Sequence, residues 1–108
     1  MKQYKSKKLE SLLQEKITKL LLRNFNFEGA MVTVLSVKMS DKNSKATVNL
    51  GIIPYEKELE AYTKIKNREP EMRFQLLKNT RLRYVPKMSF KIIQGREVVD
   101  EEKNEEKE

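Results

Sequence analysis

Between residues 72 and 96 the chain places Arg73, Lys78, Arg81, Arg83, Lys87, Lys91 and Arg96, with no acidic residue among them. Seven cations in 25 residues without a compensating carboxylate form the footprint of a polyanion binder, because guanidinium and ammonium groups pair with phosphates whatever the base sequence. Arg68 lies just before this run, and Lys5, Lys7 and Lys8 make a shorter basic cluster near the N-terminus. The candidate nucleic-acid-binding set is therefore Arg73, Lys78, Arg81, Arg83, Lys87 and Arg68, with Lys5, Lys7 and Lys8 as an auxiliary arm. A basic surface can also serve solubility alone. The exclusion of acids favours binding for the central run, whereas the N-terminal lysines fit a solvated helix start equally well.

Other chemistries find few residues to work with. The sequence has no cysteine and no histidine, so it offers no disulfide, no Cys/His zinc site, no thiol nucleophile and no His-dependent triad. Gly29, Gly51 and Gly95 are isolated from one another, which excludes a P-loop or a dinucleotide fingerprint. Glu56 and Glu60 sit at helical spacing, but flanking lysines make them a solvated helix face. No hydroxyl has a recognisable activating base, so neither catalysis nor a cofactor or metal is expected. Phe25, Phe27, Tyr55, Tyr62, Phe74, Tyr84 and Phe90 fall mostly at core positions or their margins, leaving no base-stacking platform; backbone and shape, rather than a single-stranded sequence, are the expected readout.

The elements that must hold these cations follow from periodicity. With 108 residues the chain makes one small domain, or one domain and a tail. Leu9, Leu12, Leu13, Ile17, Leu20 and Leu21 form a stripe at a period of 3.6, a first helix with Ser6 as N-cap and Asn24 or Asn26 as stop. From Met31 the period becomes two. Leu35, Val37 and Met39 then share a face of one strand, and Ala46, Val48, Leu50 and Ile52 a face of the next, across the turn formers Ser40-Asp41-Lys42-Asn43-Ser44. Pro54 closes that hairpin. Tyr55, Leu59, Tyr62 and Ile65 predict a second helix; Pro70 suits the first turn of a third, carried by Met72, Leu76 and Leu77 with Phe74 at the margin. The two helices meet at a kink around residues 68–70. After Pro86, Met88, Phe90 and Ile92 alternate as a last strand. The order α-β-β-α-α-β predicts an α+β fold with helices on the apolar face of a three-stranded sheet.

Charge also divides the chain. Residues 98–108 hold six acids and two lysines, so the net +7 of the whole leaves +11 for residues 1–97. Residues 1–97 are expected to form the nucleic-acid-binding domain, with 98–108 a disordered acidic tail that cannot bury enough apolar surface to order itself. No apolar run reaches the roughly 18 residues of a spanning helix and no signal-peptide region opens the chain, which reads as cytoplasmic, without membrane or small-molecule partners.

The kinked helix pair resembles a type II KH-like domain lacking the Gly-x-x-Gly loop. Two segments sharpen the likeness. Met31-Val-Thr-Val-Leu-Ser-Val-Lys-Met-Ser40, continuing to Lys45-Ala-Thr-Val-Asn-Leu50, is similar to the hairpin of ribosome-binding factor A, and Arg81-Leu-Arg-Tyr-Val-Pro-Lys-Met-Ser-Phe90 to its approach to the last strand. The family's Ala-x-Gly at the interhelical kink is replaced here by Arg68-Glu69-Pro70. The resemblance implies a non-catalytic assembly factor that binds the free 30S small ribosomal subunit, assists late maturation of its 16S ribosomal RNA, and often matters in the cold; a monomer is expected. A nonspecific nucleic-acid binder of the same fold, or a protein-interaction module using the acidic tail or the edge at Met88 to Ile93, are the competing readings.

Overall fold

The computed structural model describes residues 6–40 and 44–93; Lys5, the centre of the hairpin turn and the acidic tail lie outside the described residues. The elements are α1 (Ser6–Asn24), β1 (Met31–Met39), β2 (Lys45–Ile53), a 3-10 turn (Tyr55–Lys57), α2 (Glu58–Asn67), α3 (Glu69–Lys78) and β3 (Lys87–Ile92). The predicted order α-β-β-α-α-β is observed. The sheet order is β1-β2-β3, with β1 and β2 antiparallel and β2 and β3 parallel. One core face runs across all three strands: Val34, Val37, Ala46, Val48, Leu50, Ile52, Met88 and Phe90 are buried there, under Leu9, Leu13, Ile17, Leu20 and Leu21 of α1. Leu13 and Ile17 have no exposed surface, and burying side chains of this size contributes roughly 1.5–3 kcal/mol each.

The chain leaves α1 through a turn in which Glu28 and Gly29 have φ of 49° and 95°. Glycine adopts the second value without Cβ strain. Asn26 Oδ1 accepts the Glu28 N–H at 2.9 Å, while Lys57 and Lys64 reach across to the carbonyls of Glu28 and Asn26, both at 2.9 Å. Side chains of α1 also close the free edge of β1: Glu10 Oε2 accepts the Met39 N–H at 2.8 Å, and Gln14 Nε2 donates to Val34 O at 3.2 Å. An edge covered in this way is poorly available to another strand.

Three details correct the periodicity. Leu35 does not share the core face with Val37 and Met39: the β1–β2 register shifts between Val34 and Ser36, and this bulge makes Leu35 the extra residue. Val34 takes the inward position, and Leu35, 48% exposed, lies over Gly51 on the opposite face. Tyr55 and Leu59 are exposed rather than part of a buried stripe. Tyr55 belongs to the 3-10 turn, whose three-residue period breaks phase with α2, so Ala61 and Ile65 face the core instead. Leu77 is exposed as well, and the buried line of α3 is Glu69, Met72 and Leu76, at i, i+3 and i+7. Leu35→Ala is therefore expected to destabilise the fold by less than about 1 kcal/mol, against the roughly 2 kcal/mol or more of a core truncation, as read from the urea midpoint. A larger loss would place Leu35 in the core after all.

Candidate nucleic-acid interface

The cations of the central run are carried on the connection between α3 and β3, which has no regular structure yet is firmly held. Thr80 Oγ1 donates to Leu76 O at 2.8 Å and accepts the Leu82 N–H at 3.2 Å. Leu82 packs against the core, and Val85 and Pro86 are buried. Tyr84 donates its phenolic O–H to Ser44 O at 3.2 Å, tying this connection to the end of the hairpin. Arg81 and Arg83 flank the inward Leu82 and are both exposed, so anchoring their neighbours aims them at solvent. Lys78 precedes them with its ammonium 5.5 Å above the Phe74 ring, and exposed Lys87 follows at the start of β3.

The same end of the sheet gathers cations distant in sequence. Lys45 is the cross-strand partner of Lys87 and is also exposed. The sequence held a signal for Lys45, since a residue one step before inward Ala46 must face outward. The α1 start lies at this end too, because Glu10 binds Met39 beside the hairpin turn; Lys7 and Lys8 are exposed there. These side chains offer a cluster of positive charges with few competing anions, suited to phosphates and to no bond-making chemistry.

Two predicted residues do other work. Arg68 forms two 3.1 Å contacts with Glu71, through Nε and Nη2, and its guanidinium sits 4.9 Å above the Phe25 ring. Phe25 follows the far end of α1, about 25 Å from Lys7 by the helix rise, so Arg68 is apart from the main cluster. Its hydrogen bonds first, and its charge second, hold the Glu71 carboxyl below the ordinary range. That contribution is present above the unfolded-state carboxyl pKa and is lost as pH falls through the depressed folded value; the pair is exposed, so little stability rides on it. Arg73 Nε lies 2.9 Å from Glu69 Oε2 without directing its N–H at that oxygen, a charge contact rather than a hydrogen bond. Glu69 is itself buried at 7% exposure, and the same Oε2 accepts the Met88 N–H at 2.8 Å. Sequence reasoning missed Glu69, although its place three residues before Met72 put it on the inward line.

The ribosome-binding factor A family model matches residues 5–102 of this chain, nearly its whole length. The chain belongs to the ribosome-binding factor A family. No curated protein matches it significantly. Among solved structures, the fold is similar to the crystal structure of ribosome-binding factor A from Thermus thermophilus, with a TM-score of 0.69 and 20% identity over 82% of this chain and 94% of that one. A Thermus thermophilus ribosome-binding factor A model fitted into a cryo-electron-microscopy map of a 30S complex gives a TM-score of 0.68 and 20% identity, covering 78% of this chain and 90% of that one. A solution structure of a Thermotoga maritima protein, assigned as a ribosome-binding factor A, gives 0.57 and 22%, covering 77% and 85%. Against the ribosome-binding factor A pattern, the kink of this chain keeps its place but changes its chemistry. Arg68 is the junction residue, Glu69 turns inward to β3 and Pro70 lies in the first turn of α3.

In this family member Tyr84 offers a separate test of the loop. Tyr84→Phe removes one exposed hydrogen bond, worth about 0.5–1.5 kcal/mol, and leaves the ring. The expected result is faster amide exchange across residues 80–85, roughly two- to threefold weaker RNA binding and a fall in melting temperature of about 2–6 °C. Unchanged exchange would show that Leu82 and Val85 fix the loop unaided.

Proposed function

We propose that this chain is a non-catalytic assembly factor that binds the free 30S subunit and assists late maturation of its 16S ribosomal RNA. The carrying observation is the anchored α3–β3 connection, which presents Arg81 and Arg83 between Lys78 and Lys87 at the end of the sheet where Lys7 and Lys8 also lie. Family membership and the neighbour fitted into a 30S complex support the choice of partner. Residues 1–97 act as the RNA-binding domain with 98–108 as an acidic appendage, and the protein works in the cytoplasm as a monomer. Among the described residues no helix is long and apolar enough to cross a membrane.

Cosedimentation on sucrose gradients tests the partner: the protein is expected with free 30S subunits and not with 70S ribosomes. Cells lacking it are expected to accumulate unprocessed 16S precursor, most clearly in the cold; normal maturation at low and high temperature would refute the role. Binding through six cations gives a slope of log K against log salt of roughly −4 to −5, between the single-strand and duplex coefficients. A slope near zero would refute the electrostatic mechanism.

A further inference from the structure

The face of the sheet turned away from the helices has a composition that the core does not explain. Across the strands its rows read Lys45 with Lys87, Lys38 with Thr47 and Ser89, and Ser36 with Asn49 and Lys91. All four lysines are exposed, none has an ion-pair partner among the described residues, and the three strands contain no acidic residue. Between them lie short neutral hydrogen-bonding side chains. Asn49 Nδ2 donates to Ser36 Oγ at 2.9 Å, which leaves the Ser36 O–H and Asn49 Oδ1 to face outward. The apolar residues of this face, Met31, Ile53 and Leu35, are confined to its other end.

We propose that this outer sheet face is a second RNA-binding surface, with Lys38, Lys45 and Lys91 seated on the phosphates of a helical segment of ribosomal RNA. The proposal rests on the small-subunit reading above and extends it from one edge of the domain to a whole face. Lys87 belongs to both surfaces and makes them continuous. Spacing fits a sugar-phosphate strand: Lys87 and Lys91 are about 13 Å apart along β3 and Lys45 is about 5 Å from Lys87 across the ladder, within reach of successive phosphates through flexible stems. The rows of Ser36, Asn49, Thr47 and Ser89 match the 2′-hydroxyls of a wide, shallow A-form groove. A protein partner is disfavoured because interfaces between proteins are poor in lysine and rich in aromatic anchors, and no outward-facing strand residue in these rows is aromatic.

Magnitude separates one surface from two. Six cations give a salt slope of roughly −4 to −5, whereas adding Lys38, Lys45 and Lys91 raises it to about −6 to −8. The test is fluorescence anisotropy of a labelled RNA hairpin against the full-length chain and the triple variant Lys38→Gln/Lys45→Gln/Lys91→Gln. The variant is expected to flatten the slope by about 2 and weaken binding about 50-fold at roughly 0.15 M salt, and the triple Lys→Arg variant to restore both. A control variant, Lys16→Gln/Lys19→Gln/Lys66→Gln, removes the same charge from helices and is expected to leave the slope within about 0.5 of the original. Equal loss in the control overturns the proposal in favour of diffuse net charge; an unchanged slope in the sheet variant overturns it outright. Loss of 30S cosedimentation with unchanged hairpin binding overturns it in favour of a ribosomal-protein contact. Should the triple variant fail to fold, methylation footprinting of the wild-type chain decides, with RNA expected to protect Lys38, Lys45 and Lys91 and full reactivity overturning the idea. If neither the sheet variant nor Arg81→Ala/Arg83→Ala changes 30S cosedimentation, the small-subunit reading fails with it; a defect in the arginine variant alone leaves that reading standing.

Discussion

An Arg81→Ala/Arg83→Ala chain is expected to bind RNA about 15- to 30-fold more weakly than the wild type at roughly 0.15 M salt, with an unchanged melting temperature. Each phosphate contact adds about 0.7–0.9 to the salt slope, which extrapolates from 1 M to 0.15 M as about 0.6–0.7 logarithmic units of affinity, and two contacts double it. The slope should flatten by about 1.5. Both side chains are exposed and neither has a hydrogen bond or ion pair among the described residues, so their removal strands no buried group. Because arginines on phosphates position without reading sequence, the loss should be uniform across RNA sequences. Anisotropy titrations at four salt concentrations would measure it. A loss confined to one sequence would mean base contact, and no loss at all would remove the α3–β3 connection from the interface.

A stability effect as large as that of a core truncation is expected from a buried charged residue, Glu69. Glu69→Ala is expected to lower stability by about 2–3 kcal/mol, a fall in melting temperature of roughly 10–20 °C for a domain of this size. The substitution removes the acceptor of the buried Met88 N–H and the partner of Arg73 Nε together. Leaving a buried donor unsatisfied costs about 1–3 kcal/mol, and breaking a buried ion pair costs up to roughly 3–5. The lower figure applies because the Arg73 side chain is 36% exposed and can turn to water. Glu69→Gln keeps an acceptor for Met88 and should lose about half as much, and Arg73→Ala less again. Differential scanning calorimetry would rank the three. A loss below about 1 kcal/mol for Glu69→Ala would show that water replaces the carboxylate and that the α3–β3 tie is not a structural element.

This tie also explains how the family's kink tolerates Arg68-Glu69-Pro70. Proline needs no N–H in the first turn of α3, and the glutamate before it turns inward to fix the start of β3. Arg73 consequently serves the fold first, and a variant at that position would mix lost stability with any lost RNA contact. Lys78, Arg81, Arg83 and Lys87 carry no such double role.

By itself the sequence determined the element order, the helix-breaking position of Pro70, the inward faces of β2 and β3, and the cationic run without acids, because each is written in residues a few positions apart. The bulge at Leu35 was illegible, since two strands must pair before an extra residue becomes extra. So were the partners of the buried Glu69: its inward place was legible three residues before Met72, but a carboxylate is tolerable there only where a distant N–H and a guanidinium meet it. The gathering of Lys7, Lys45, Arg83 and Lys87 at one end, and the placing of Arg68 at the far end of α1, came from the tertiary structure alone. Local periodicity indicates which way most side chains face; bulges and the packing between elements decide the exceptions, and only that packing fixes which charges become neighbours.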